Sequence, residues 1–222
     1  MIIMSRCVFA GDAVRLNRWM RLLPVLAALV LPATLFGATP PDPVAPARPA
    51  WLTGQLLIAA PSMTDPRFHQ TVLVMVRHNA DGAMAIVINR PLGERPMARI
   101  LEAFGEKPAD AAGTVRIYYG GPVQLDMGTV LHSADYRRVG TLDIDGRVAL
   151  TASMEIYRDI AAGKGPQNSI MVFGYAGWAP GQLEGEMAQN AWFTAPMDVK
   201  LVFDADRDKV WELAMERRTR DL

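Results

Sequence analysis

From Trp51 onward, short apolar runs alternate with stretches of helical periodicity. "GQLLIAA" (54–60) is a short apolar run closed by Pro61, and "TVLVMVRHNADGAMAIVINRP" (71–91) reads as two β-branched runs joined around Asn79, Ala80, Asp81 and Gly82. Asp81-Gly82 supplies the positive φ that a tight hairpin needs, and Pro91 ends the second run. Met97, Ile100, Leu101 and Phe104 then recur at helical spacing, with Gly105 as the stop. "TVRIYYGGPV", "GTVLHS" and "GRVALTAS" are three further strand candidates. Ser153 opens a helix to Ala162 as a candidate cap, with Met154, Tyr157 and Ile160 along one side. "NSIMVFGYAG" reads as a strand, "GQLEGEMAQN" as a helix with Leu183 and Met187 four residues apart, and "AWFTAP" and "VKLVFD" as strands. A last helix carries Val210, Leu213 and Ala214 on one face. No segment repeats another, and the mixture of hairpins and crossovers predicts a single α+β domain around a mixed sheet.

Upstream the pattern changes. Arg15, Arg18 and Arg21 precede the apolar stretch Leu22–Ala38, which is short and proline-broken. That is the form of a signal peptide or signal anchor rather than a membrane span. Phe36 is a poor −3 residue for cleavage after Ala38, and Cys7 lies before the apolar stretch, where it is no lipoprotein cysteine. Residues 39–50, "TPPDPVAPARPA", form a proline-rich linker. The expected organisation is therefore 1–38 targeting segment, 39–50 linker and 51–222 domain. Residues 15–38 direct the chain to the cell envelope; a start codon misassigned upstream of the domain would instead leave it cytoplasmic.

Composition adds constraints. Of 222 residues, 50% are hydrophobic and 21% charged, as in a globular protein with a sizeable core. The net charge is zero, but residues 51–222 hold 18 basic and 21 acidic side chains, a balance of −3. Such a domain lacks the basic footprint that nucleic-acid phosphates require. Cys7 is the only cysteine, which excludes a disulfide framework and a cysteine metal cluster.

The densest candidate for chemistry is "VFGYAGWAPGQLEGEMAQN", which sets Gly174, Gly177 and Gly181 around Tyr175 and Trp178. A phosphate loop needs Gly-Lys-Ser/Thr at its end, and here Gly181 is followed by Gln182. The spacing of the glycines also misses the Gly-x-Gly-x-x-Gly of dinucleotide sites. What remains is a strand-to-helix corner whose helix N-terminus faces an anion, or whose glycines serve only the turn. In "PSMTDPRFHQ", Thr64 or Asp65 caps a turn, or Asp65 serves as a base or metal ligand with His78 or His132 near strand ends. No histidine pair has the i, i+4 spacing of a zinc site, and no serine sits in a Gly-x-Ser-x-Gly elbow. Glu184 with Glu186, and Asp204 with Asp206 and Asp208, read as solvated helix starts. Gly120-Gly121 either admits a ligand to the backbone or serves a strand-to-turn junction. No catalytic residue, metal or cofactor is predicted.

Taken together, "GQLLIAAPSMTDPRF", "HNADGAMAIVINRPL", "YYGGPV", "VLHS" and "GYAGWAPGQLEGEMAQNAW" resemble, in the same order, the AlgH/YqgE family of bacterial proteins. The resemblance runs from about Gly54 to the end of the domain. It implies a single α+β domain with a strongly curved, partly barrel-like mixed sheet flanked by helices, and it defines no reaction. Members carry the label of transcriptional regulators. This chain departs from the family pattern at Ala85, Met127, Thr129 and Ala179-Pro180, and its first fifty residues have no counterpart there.

Three functions follow as expectations. The first is a non-enzymatic binding or regulatory protein whose Gly120, Gly121, Gly174, Tyr175, Gly177 and Trp178 present one face to a protein or small-ligand partner. On that reading Trp178→Ala leaves the fold intact. The second is an enzyme that uses Asp65, His78 and Asn89 around a pocket. The third is a DNA-binding regulator, against which the acidic balance and the lack of a helix-turn-helix pair both argue. The basic run Met215–Arg220 instead favours the C-terminal end of its own helix. Membrane contact is expected only through the N-terminal segment.

Overall fold

The computed structural model describes residues 51–106 and 113–219. The expected targeting segment and linker, residues 1–50, and Arg220 of the basic run lie outside the described residues. Ten strands form one sheet: β1 (Gln55–Ala59), β2 (Val72–Asn79), β3 (Gly82–Val87), β4 (Pro91–Pro96), β5 (Thr114–Tyr119), β6 (Val123–Ser133), β7 (Leu142–Asp143), β8 (Val148–Thr151), β9 (Ser169–Trp178) and β10 (Trp192–Pro196). Among the described residues five helices accompany them: α1 (Met97–Ala103), α2 (Met154–Ala161), α3 (Gln182–Ala188), α4 (Val199–Phe203) and α5 (Val210–Glu216). The sheet runs β10-β1-β2-β3-β9-β6-β8-β7, with β5 parallel to β9 and β4 antiparallel to β5. This is the curled, half-barrel α+β domain expected.

Both faces of the sheet are buried at β1, β2 and β3, which explains why β1 and β2 read as unbroken apolar runs rather than alternating ones. Leu56, Ile58, Val72, Val74 and Val76 point into the largest core with Leu201, Val202, Val210 and Ala214 of α4 and α5. Their neighbours Leu57, Ala59, Leu73 and Met75 join Trp178, Leu183 and Trp192 on the opposite face. A third cluster seats α1 and α2 on Val130 and Met171.

The hairpin falls where expected, with Asn79 opposite Gly82. Ala80 and Asp81 are the turn residues, and Gly82 alone takes the positive φ, +123°. Gly105, at φ +80°, follows α1 as its stop. Ser153 holds the N-cap position of α2 in an extended conformation but makes no capping hydrogen bond. Arg217 and Arg218 donate to the carbonyls of Leu213 and Met215, satisfying the end of α5. One element is corrected: "VKLVFD" is not a strand. Val199–Phe203 is helical because the Asp198 carboxylate accepts from the backbone N–H groups of Lys200 and Leu201. That cap, with burial of Leu201 and Val202, outweighs the β preference of the valines.

β9 is the seam. Its first half pairs with β5 and β6, and its second half pairs with β3. The exchange occurs at Gly174, in the left-handed region at φ +75°. Before it Ile170 and Val172 face the largest core; after it Tyr175 does so, while Ala176 and Trp178 face the second cluster. The inward–outward alternation thus slips by one residue at the left-handed glycine, opposite the register irregularity between Val123 and Gly128 of β6. "YYGGPV" crosses β9 at this point, where Gly120 donates to the Phe173 carbonyl and its own carbonyl accepts from Val87, at 2.8 Å each.

His132 lies on β6, fully buried. One ring nitrogen is 2.9 Å from the Thr151 hydroxyl and the other 2.8 Å from the Ser133 carbonyl, so Nδ1 donates and Nε2 accepts. Burial pushes its pKa below the ordinary 6.5. The unfolded chain then binds the proton more readily, so the stability held by the neutral ring is complete above the ordinary value and lost as pH falls through the lowered one. Urea midpoints are expected to drop from about pH 7 to about pH 5, with a shallower drop in His132→Gln; equal slopes would refute this assignment.

Candidate functional site

Three of the motifs meet in one cleft. The turn after β1, the crossing before β6 and the end of β9 with α3 enclose about 420 Å3, lined among others by Asp65, Arg67, Phe68, Pro122, Gly177 and Trp178. Its walls are aromatic. Phe68 meets Trp192 edge-on at 5.4 Å and lies near-parallel to Trp178 at 6.5 Å, while the two tryptophans meet edge-on at 5.8 Å. Such pairs add to the burial of the rings themselves.

One carboxylate orders that wall. Glu186 on α3 accepts the indole N–H of Trp178 at 2.9 Å and that of Trp192 at 2.8 Å on a single oxygen. Its other oxygen accepts from the Gln182 side-chain amide, whose own oxygen accepts from the Ala179 backbone N–H. Both indole donors, each on a largely buried ring, are thereby satisfied. At the rim, Asp65 accepts from the Arg67 backbone N–H at 2.9 Å and from its guanidinium at 2.6 and 3.0 Å. The hydrogen bonds from Arg67 hold the Asp65 carboxyl below its ordinary range against the opposing effect of burial. Asp65 therefore caps its turn, as its sequence suggested, while presenting a charged pair to the opening.

The glycine motif is built differently from the expected corner. Gly174 and Gly177 lie within β9, and only Gly181, at φ +74°, starts α3. Gly120, Gly121 and Gly174 let two backbones touch: a Cβ on Gly120 would sit 2.3 Å from the Gly174 carbonyl oxygen, and one on Gly121 would sit 2.1 Å from the Tyr175 carbonyl carbon. Tyr175 packs against the largest core, and its ring lies over Gly177. Trp178 is 7% exposed, so it is core and cleft wall at once.

Asp65, His78 and Asn89 have separate partners. His78 Nδ1 accepts from the Leu52 backbone N–H at 3.2 Å, leaving Nε2–H to donate to Glu184 at 3.0 Å. The ring is 5% exposed and meets Trp51 edge-on. Asn89 accepts from the Val72 backbone N–H and donates to the Gln70 carbonyl, closing the end of the β2–β3 pair. Nor do His78 and His132 meet, since β3 and β9 separate their strands. Among the described residues no group of three His, Cys, Asp or Glu side chains could hold a metal, and no helix is long and apolar enough to cross a membrane.

Sequence reasoning missed Arg67, Phe68, Trp192 and Glu186 as cleft residues. The first two stand beside Asp65 in a quoted motif, but the glutamate reads as solvated helix surface until the two indoles are placed against it.

The comparisons with known proteins agree with this architecture. Residues 56–222 match the AlgH-like family. A UPF0301 protein of Rhodospirillum rubrum is 46% identical over 167 residues, which span 75% of this chain and 87% of the relative. One from Methylococcus capsulatus is 43% identical over 164 residues, 74% of this chain and 90% of the relative. The solution structure of the AlgH protein from Pseudomonas aeruginosa is similar with a TM-score of 0.67 and 43% identity, covering 76% of this chain and 89% of that one. With the half-barrel sheet and the matched residues in agreement, the chain belongs to the AlgH-like family of UPF0301 proteins.

Proposed function

We propose that the domain is a binding protein whose occupant is a small molecule with a flat, apolar body and a polar or anionic end, held in the aromatic cleft. The convergence of three separated segments on that cleft carries this reading. Concave sites with apolar walls and a few placed polar groups are where small ligands bind. Half-buried Phe68 lines the cleft with the two largely buried tryptophans and gives the body of such a molecule an apolar wall, and Arg67, exposed at the rim and already oriented by Asp65, offers its guanidinium to the polar end. If residues 15–38 export or anchor the chain, the cleft meets its ligand in the cell envelope.

Benzoate and larger planar aromatic carboxylates are suitable probes by NMR titration. Shifts should concentrate at Met63, Arg67, Phe68 and Gly177, and Phe68→Ala should weaken binding about tenfold or more. Shifts elsewhere, or affinity indifferent to Phe68→Ala, would refute the proposal.

A further inference from the structure

A second cavity lies between the turn before β2, the segment after β3 and the start of α5. It encloses about 200 Å3 and is lined by His69, Gln70, Asn89, Arg90, Arg207, Asp208, Trp211 and Glu212, of which Arg207, Arg90, Asp208 and Glu212 set its charge. Arg207 is 8% exposed, and its guanidinium donates to the carbonyls of Val202 and Ala205 at 2.9 and 2.8 Å and, at longer range, to those of Leu201 and Ile88. Four of its five N–H groups are used, all on neutral acceptors. Arg90 donates to the His69 carbonyl.

Among the described residues neither arginine forms an ion pair, and neither do Asp208 and Glu212 on the same cavity. Two cations and two anions thus line one small space without a close ion pair between them, Arg207 buried and Asp208 and Glu212 exposed. Burial works against the Arg207 charge, with Asp204 and Asp206 acting on it only at a distance beyond an ion pair, and that cost falls when an anion arrives. The lining also holds backbone strain: Gln70 sits in the left-handed region at φ +52°, unusual for a residue other than glycine, kept there by the hydrogen bond from Asn89 to its carbonyl. Strain of this kind gathers at ligand sites.

We infer that this cavity binds a small zwitterion of the α-amino-acid class, its carboxylate on Arg90 and Arg207 and its ammonium on Asp208 and Glu212. A phosphate or other polyanion would meet the two acids, and a simple cation would meet the two arginines. Only a molecule with both charges on a short frame matches both walls. The inference does not rest on the aromatic cleft, since the two sites share no lining residue.

The test is calorimetric titration of the full chain with each of the standard L-α-amino acids, and with acetate and methylammonium as half-probes. At least one amino acid should bind saturably below about 10 mM, with each half-probe weaker by about tenfold or more. Arg90→Gln and Glu212→Gln, both at positions that leave the core intact, should each weaken that binding about tenfold. Amide shifts should fall on Gln70, Arg90, Arg207 and Trp211. No saturable binding by any amino acid, acetate equal to the best of them, or affinity unchanged in either variant would overturn the inference. Because the Phe68 side chain does not line this cavity, loss of one site and loss of the other are separately readable.

Discussion

Alanine at Gly121 is expected to destabilise the domain by about 4 kcal/mol or more, among the largest effects a single methyl group can produce. The added Cβ would lie 2.1 Å from the Tyr175 carbonyl carbon and 2.3 Å from the Ala176 nitrogen, and both are backbone atoms that no rotamer change can move. The residue also sits at φ +150°, where an L side chain is strained before any contact is counted. Relief would require β5 and β9 to separate at the crossing, with loss of the 2.8 Å hydrogen bonds of Gly120 to Phe173 and Val87. Gly146→Ala is the control: φ there is +79° with open space around the Cβ, so it should cost about 1 kcal/mol. Urea unfolding of both variants by circular dichroism decides the matter. Equal losses would mean that the crossing is looser than described.

Trp178→Ala is expected to cost about 3–5 kcal/mol, far from leaving the fold intact as an accessible contact would. The indole is packed among Leu183, Trp192 and Phe68, and its truncation opens a cavity beneath α3. Trp178→Phe keeps one aromatic ring in the packed position but removes part of the indole volume along with the N–H donated to Glu186, which retains Trp192 and Gln182 as donors. It should cost about 1–2 kcal/mol. Thermal unfolding should rank alanine well below phenylalanine; a mild effect of alanine would place the ring outside the core.

The fold was legible where one local rule decided the outcome. The Asn79–Gly82 turn, the helix ending at Gly105 and the packing of Val210 and Ala214 follow from turn chemistry and spacing. β4 was not legible, because Pro91, Gly93 and Pro96 in six mostly exposed residues look like a loop, and only pairing with β5 makes them a strand. "VKLVFD" misled because two valines outvoted the cap signal of Asp198. In the cleft, Asp65, Gly177 and Trp178 were found in the motifs that carry the family resemblance, yet the exchange of partners at Gly174 that brings them together depends on three strands at once. The charged cavity was invisible for the same reason: Arg90 and Arg207 are 117 positions apart in the chain, and nothing local marks either.

β9 has a consequence for how the chain reaches its native state. The strand that holds β3, β5 and β6 together begins at Ser169, more than eighty residues after β3 ends at Val87. Its pairings are of long sequence separation, so closing them requires large loops to be ordered first and makes folding slow for a domain of this size. A nascent chain lacking residues 169–178 has neither the seam nor the neighbours that cover Ala83 and Ala85. Cooperative folding therefore waits until most of the domain has been synthesised, which leaves an interval in which chaperones can engage an extended polypeptide.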